Sequence, residues 1–92
     1  MRDYELAGYI ISSSYRLRTV MVLSEMGYAT PTQIATQSNI LKNHISKVLK
    51  ELKERDVVEC INENARKGRV YTLTDNGKKV LPTVRELESN AK

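Results

Sequence analysis

The fold is decided by the stretch TPTQIATQSN (residues 30–39), which runs directly into ILKNHISKVLKELKER (residues 40–55). Thr30 and Gln33 have the spacing of a capping box, in which the threonine oxygen and the glutamine side chain each pair with the other residue's backbone amide. Pro31 fits the first helical position, because an amide there would have no partner within the helix. The pattern predicts a short helix that begins after Thr30 and ends near Ser38.

A second helix is predicted directly after a tight turn at Asn39, a residue type that tolerates the left-handed conformation. The helix spans about Leu41 to Arg55, although Leu41 occupies the cap position where serine or threonine is expected. One face is apolar, and the opposite face is polar. The apolar residues at helical spacing are Ile45, Val48, Leu49 and Leu52, and the polar ones are Asn43, Ser46, Lys47, Lys50 and Glu54.

Upstream of these two helices, residues 3–26 predict a helix that Gly27 closes. The serines at 12–14 weaken its middle, so a break there, with Ser13 or Ser14 capping a second segment, is an open alternative. Downstream, residues 57–61 and 69–73 predict two antiparallel strands around a polar turn-forming segment, 62–68. Thr74 then caps a last helix, which Pro82 is expected to kink or interrupt.

These elements predict one domain of residues 1–92, with a core of about 12–80, because 92 residues suffice for one modest core. The fold class is mainly α with a small β-hairpin (α+β), in the order α-α-α-β-β-α. No window is apolar over the length a membrane span requires. The first residues also lack the pattern of a secretion signal, so a cytoplasmic protein is expected.

Charge is distributed unevenly along the chain, whose net charge is +4. Residues 42–55 hold five basic and two acidic side chains, and residues 66–69 hold three basic side chains and no acidic one. Each block therefore carries +3. Two such blocks on one face would attract nucleic acid. If they lie on separate faces, they are only solvated surface and do not indicate a nucleic-acid partner.

Metal, cofactor and catalytic functions are not expected. The chain has one cysteine, Cys60, and one histidine, His44, without zinc-site spacing. No nucleophile, metalloprotease or phosphate-loop motif is present, so an enzyme is the class least favoured. Cys60 is interpreted as a small core residue on a strand, whereas His44 is left open between partial core packing and a contact to DNA.

The two central helices and the turn between them form a helix-turn-helix, which favours binding to duplex DNA. An amphipathic helix fits the major groove, while a basic hairpin tip can follow phosphates or enter the minor groove. Free amides and hydroxyls at the start of the short helix add an anion site. The candidate DNA contacts are Lys42, Asn43, His44, Ser46, Lys47 and Lys50 on the reading helix, Arg66, Lys67 and Arg69 at the hairpin, and Thr30, Thr32 and Gln33.

The motifs in residues 30–35 and 44–52 resemble the winged helix-turn-helix of MarR-like and ArsR-like transcription regulators. Residues 62–74, which contain ARKGRVYTLT, are similar to the wing and its return strand in small archaeal members. The resemblance covers about residues 12–80. It implies base recognition by the third helix, backbone contacts by the wing, and a homodimer.

The sequence departs from this family at three points. Asn39 stands where glycine is common, Leu41 stands where serine is common, and the ArsR-like metal-sensing cysteine pair is absent. Metal sensing is therefore not expected, and the sequence does not indicate an effector.

Two other binding functions stay open. Winged helices also pack against proteins in larger assemblies, and Glu51 and Glu54 on the reading helix would suit that role. RNA is less favoured, because the major groove of an A-form duplex does not admit a helix.

A homodimer joined by the first and last helices is expected, because one small core is not expected to bury the apolar residues at both ends. These residues include Leu6, Tyr9, Ile10 and Ile11 at one end and Leu81, Val84 and Leu87 at the other. The alternative is that the two ends pack on each other within one chain.

Overall fold

The computed structural model describes residues 2–90 as a mainly helical domain with a small antiparallel sheet, which confirms the fold class. The elements in chain order are α1 (Arg2–Ile11), α2 (Ser14–Met26), β1 (Tyr28–Ala29), α3 (Pro31–Ser38), α4 (Lys42–Glu54), β2 (Val58–Cys60), β3 (Tyr71–Leu73) and α5 (Asp75–Asn90). The order differs from the prediction in two places: the first helix is divided, and β1 is an additional strand. The end positions of the expected 1–92 domain, residues 1, 91 and 92, lie outside the described residues.

The first helix breaks at the serine run, which is the alternative that the sequence left open. Ser13 adopts an extended conformation (φ −128°, ψ 120°), and its side chain accepts a hydrogen bond from the Arg16 amide. Ser13 is therefore the N-cap of α2. Gly27 ends this helix with a positive φ of 84°, a conformation that favours glycine.

The helix-turn-helix forms as predicted. The Thr30 hydroxyl accepts from the Gln33 amide at 3.2 Å, and the Gln33 side chain accepts from the Thr30 amide at 2.9 Å, which completes the capping box. Asn39 is left-handed (φ 58°, ψ 39°) and turns the chain into α4. The predicted helix 41–55 is one residue shorter at each end, because Leu41 and Arg55 are its caps.

The sheet has the order β1-β3-β2, with all neighbours antiparallel. Because β1 has only two residues, it is too short to show the alternation by which a strand is recognised in a sequence. Its position depends instead on pairing with β3 and on the Thr72 hydroxyl, which donates to the Gly27 carbonyl at 2.6 Å.

The last helix begins as predicted but is not interrupted. The Thr74 hydroxyl accepts from the Gly77 amide at 2.9 Å, which is the expected cap. Pro82 lies inside α5, and the helix continues through it to Asn90. Of the two outcomes expected at Pro82, a kink or an interruption, the interruption is therefore wrong.

The two ends of the chain pack on each other, which is the alternative to the exposed interface expected above. Ala7 and Ile10 of α1 and Val80 and Val84 of α5 are completely buried, and α1 packs more extensively against α5 than against any other element. The apolar partners around them, Leu6, Ile11, Leu81 and Leu87, are partly buried against the same core. One chain therefore covers much of the apolar surface from which a dimer was expected, and the homodimer stays a prediction.

No helix among residues 2–90 has the length and apolar character needed to cross a membrane.

Candidate nucleic-acid interface

The outward face of α4 carries the polar side chains that the helical spacing predicted. Its apolar residues, Ile45, Val48, Leu49 and Leu52, are buried in the core, which fixes the rotation of the helix about its axis. The exposed residues on the other side are Lys42, Asn43, Ser46, Lys47 and Lys50. The Ser46 hydroxyl donates to the Lys42 carbonyl at 3.2 Å, so its oxygen stays available as an acceptor.

His44 lies apart from this exposed group. It is partly buried, and its ring packs on Tyr15 of α2 with a centroid separation of 5.2 Å and an interplanar angle of 50°. His44 and Tyr15 line a shallow pocket together with Lys47 and Glu51. The structure therefore gives His44 a packing role between α2 and α4, at the edge of the polar face.

The segment between β2 and β3, residues 61–70, forms a compact wing organised by one asparagine. The Asn62 side chain accepts from the Val70 amide at 2.7 Å and donates to the Gly68 carbonyl at 3.2 Å, so it joins the two sides of the wing. Gly68 has a φ of 66°. The Arg69 side chain donates to the Ala65 carbonyl at 2.9 Å. Arg66 and Lys67 are exposed at the tip.

An exposed ion pair joins the wing to α4. The Lys53 ammonium lies 2.5 Å from the Glu63 carboxylate. This hydrogen bond and the attraction between the opposite charges raise the pKa of Lys53 and lower the pKa of Glu63. Because both side chains are in solvent, the pair contributes little to stability, but it does join the wing to the carboxyl end of α4.

One cleft brings together candidate DNA contacts from three separate elements. It has a volume of about 450 Å³ and lies between the wing, the start of α3 and the start of α4. Its lining residues are Thr30, Pro31, Thr32, Lys42, Arg66, Lys67, Gly68 and Arg69, among which there is no carboxylate. Four cations therefore face the same opening as the hydroxyls of Thr30 and Thr32, an arrangement suited to a phosphate group. The amides expected to be free at the start of α3 are mostly not available, because the capping box occupies those of Thr30 and Gln33 and Pro31 has none.

Gln33 is one predicted contact whose side chain is engaged within the chain. Its amide oxygen accepts from the Thr30 amide in the capping box, and Gln33 does not line the cleft. Lys47 and Lys50 are also outside the cleft, further along the exposed face of α4.

A second group of charged residues was not predicted from the sequence. The Arg16 guanidinium at the start of α2 lies 3.3 Å from the Glu51 carboxylate of α4 and 3.9 Å from the centre of the Tyr9 ring. Arg55 packs on the same ring at 4.1 Å, so two guanidinium groups flank Tyr9. No local pattern indicates this cluster, because its members are distant in the sequence. It connects α1, α2 and α4.

Cys60 is buried, as expected for a core residue. Within residues 2–90, the structure has no group of three histidine, cysteine or acidic side chains that could hold a metal ion.

Comparison with known proteins gives a family and a set of similar structures. A family model for the winged helix-turn-helix matches residues 19–92. No curated protein sequence matches the chain significantly.

Several solved structures have the same fold. A MarR family transcriptional regulator from Silicibacter pomeroyi is 27% identical with a TM-score of 0.75, covering 94% of this chain and 58% of the other. AbfR of Staphylococcus epidermidis is 25% identical with a TM-score of 0.73, covering 99% and 62%. A mutant MarR from E. coli, complexed with operator DNA, is 16% identical with a TM-score of 0.70, covering 94% and 65%.

The chain therefore spans about three fifths of the length of these MarR-family and related structures. At 16% identity, the likeness to the DNA complex concerns the fold alone. Because the family model matches most of the sequence, including both helices of the helix-turn-helix, the wing and α5, the chain belongs to the winged helix-turn-helix family.

Proposed function

We propose that this protein is a transcription regulator that binds duplex DNA sequence-specifically, with α4 in the major groove and the wing on the backbone or in the minor groove. The observation that carries the proposal is the cleft between α3, α4 and the wing, where four cations meet the hydroxyl-bearing residues Thr30 and Thr32. The structural likeness to MarR-family regulators supports it. Phosphates positioned at the cleft would hold the exposed face of α4 against base edges.

The exposed side chains on α4 are assigned to two kinds of contact, with base edges and with the DNA backbone. Asn43, near the amino end, has the amide that pairs with both the ring and exocyclic nitrogens of adenine. Lys47 and Lys50 donate to guanine or to phosphates, and Ser46 pairs with either kind of base edge. His44, which packs on Tyr15, is assigned to a backbone contact at the edge of this face.

The remaining candidate residues act on phosphates or shape the elements that do. Arg66 and Lys67 at the wing tip, Lys42, and the hydroxyls of Thr30 and Thr32 are assigned to phosphates. Gln33 and Arg69 form hydrogen bonds within the chain, so their proposed role is to hold the α3 N-terminus and the wing in shape.

A homodimer is part of this proposal on functional grounds. One reading helix reaches only a few base edges, so a single domain distinguishes few sequences. Two-fold pairing would place two α4 helices about 34–36 Å apart, on successive major grooves of an inverted repeat.

The test of DNA binding is its dependence on salt. If a dimer neutralises about six to ten phosphates, its affinity for duplex DNA falls by about 10³ to 10⁵ between about 50 and 200 mM salt. Replacing Arg66 and Lys67 together with glutamine should make the slope of log affinity against log salt shallower by about one for each phosphate that the protein no longer neutralises. The matched control replaces Lys78 and Lys79, two exposed lysines on α5, with glutamine.

Binding that does not change with salt would contradict the proposal, as would equal slopes for the wing variant and the α5 control. The rival function, a protein-interaction module, predicts no salt-dependent binding to duplex DNA. Its support from α4 is weaker in the structure, because Glu51 is paired with Arg16 and only Glu54 is exposed.

A further inference from the structure

The amino end of α4 has an apolar residue in an exposed cap position. Leu41 is the N-cap, with an extended conformation (φ −60°, ψ 142°) and no side-chain hydrogen bond to the helix. The residue is 70% exposed, the highest value among the exposed large apolar residues that the structure describes. Leu41 therefore neither caps the helix nor packs in the core.

The other capped helices of this chain use a hydroxyl at the same position. Ser13 accepts from the Arg16 amide, Thr30 from the Gln33 amide and Thr74 from the Gly77 amide. Leucine at a cap has no side-chain acceptor, so the equivalent amide, that of His44, bonds to the Leu41 carbonyl instead. The leucine side chain also leaves apolar surface in water, which is unfavourable. Departures from such local rules are expected at functional sites, and position 41 directly precedes the proposed reading face.

The position of Leu41 is nevertheless well defined. Its carbonyl accepts from the His44 amide at 3.0 Å and from the Ile45 amide at 3.1 Å, which ties it to the first turn of α4. The next two residues, Lys42 and Asn43, are exposed and belong to the proposed reading face. In a helix-turn-helix, the residues at the amino end of the second helix meet the base edges.

The chemistry of the major groove indicates what an apolar side chain would meet there. Its base edges present hydrogen-bond donors and acceptors and one apolar group, the C5-methyl of thymine. A hydroxyl at position 41 would form a hydrogen bond with an amide of the helix. A leucine side chain can make only apolar contacts, and the thymine methyl is the group in the groove that suits it.

We propose that Leu41 is a specificity-determining residue that packs on the C5-methyl of a thymine at one position of each half-site. The inference rests on the proposed DNA-binding function and adds one base contact to it. It assigns to this position a preference for thymine that arises from apolar packing.

The experiment removes the methyl from the DNA and the side chain from the protein independently. The full chain first selects a duplex from a random-sequence pool, and each thymine of that duplex is then replaced in turn by uracil, which lacks only the C5-methyl. Affinities are measured for the unaltered chain, for Leu41→Ser and for Ile61→Ser, a control that removes another exposed aliphatic side chain, at the base of the wing.

At one thymine of each half-site, we expect uracil to weaken binding by the unaltered chain about fourfold, the factor for burying one methyl-sized group. Leu41→Ser should bind the thymine duplex more weakly and show no further weakening with uracil there. Ile61→Ser should keep the fourfold effect. The midpoint of thermal unfolding of Leu41→Ser should be unchanged or higher, because serine restores a cap.

The proposal is overturned if no thymine shows a methyl effect, or if Leu41→Ser keeps the full effect, while salt-dependent binding persists. In that case the DNA-binding function stands without a role for Leu41. If the folded, unaltered chain shows no salt-dependent binding to any duplex, the proposed function fails, and the assignment of Leu41 fails with it.

Discussion

At the level of single residues, two glycines in similar helical surroundings have opposite structural roles. Gly77, in the first turn of α5, is buried, and a Cβ added there would lie 2.2 Å from the Val57 carbonyl oxygen. Gly8, inside α1, is exposed, and an added Cβ would meet nothing within 4 Å. A close backbone approach therefore requires glycine at one position only.

Gly77→Ala should consequently lower the free energy of unfolding by about 1–3 kcal/mol, because α5 must shift away from Val57 to make room. Gly8→Ala should raise the free energy of unfolding by about 1 kcal/mol, because alanine is more stable than glycine inside a helix. Urea denaturation of the two variants under the same conditions measures both changes. A Gly77→Ala protein as stable as the unaltered one would show that α5 and Val57 are not closely packed.

Asn43 and Arg66 should differ in the kind of effect that their removal has on DNA binding. Asn43 is on the exposed face of α4, so Asn43→Ala should relax the preference at one base position by about 1–3 kcal/mol. Arg66 is at the wing tip beside the cleft, so Arg66→Ala should weaken binding to all sequences alike. Affinities for a panel of single-base variants distinguish them, and the same pattern for both substitutions would contradict the assignment.

At the level of elements, the ion pair between Lys53 and Glu63 joins α4 to the wing, and its pH dependence follows from the two pKa shifts. The lowered pKa of Glu63 gives a stabilising contribution that is full above the unfolded-state pKa and is lost as pH falls through the folded one. The raised pKa of Lys53 gives a contribution that is full below its unfolded-state pKa and is lost as pH rises through the folded one.

Lys53→Met should therefore return the pKa of Glu63 upward to its ordinary range, because it removes the hydrogen bond and the opposite charge together. NMR titration of the Glu63 carboxyl measures this shift directly. Lys50→Met is the matched control on the same helix and should leave the pKa of Glu63 low. An unchanged Glu63 titration in Lys53→Met would show that the wing and α4 are not joined by this pair.

At the level of the whole molecule, α1 and α5 cover each other, so a dimer joined by these two helices must use the side chains that their outer surfaces still expose. Tyr4 on α1 is the one large apolar side chain that is exposed on these two helices within residues 2–90, at 52%. Removing residues 83–92 would strip the buried Val84 from the core. A surface substitution is therefore a cleaner test of the dimer than a truncation.

We expect light scattering at micromolar concentration to give the mass of two chains. Tyr4→Glu should shift this mass toward one chain while leaving the helical circular dichroism unchanged, because Tyr4 lies outside the core. A one-chain mass for the unaltered protein, both free and on an inverted-repeat duplex, would contradict the dimer.

The sequence by itself determined the helix-turn-helix, because its signals are local. The capping box at Thr30 and Gln33, the left-handed Asn39 and the apolar spacing in α4 each act within a few residues. The apolar spacing also predicts which side chains of α4 face solvent, because burial of one face of a helix turns the opposite face outward.

The tertiary structure alone decided the features that join distant parts of the chain. These are the pairing of β1 with β3, the packing of α1 on α5, and the ion pair of Arg16 with Glu51 across 35 positions. The cleft is of the same kind, because it exists only when the wing folds back beside the starts of α3 and α4. Such features leave no periodic trace in the sequence, since each depends on which surfaces remain to be buried once the helices have formed.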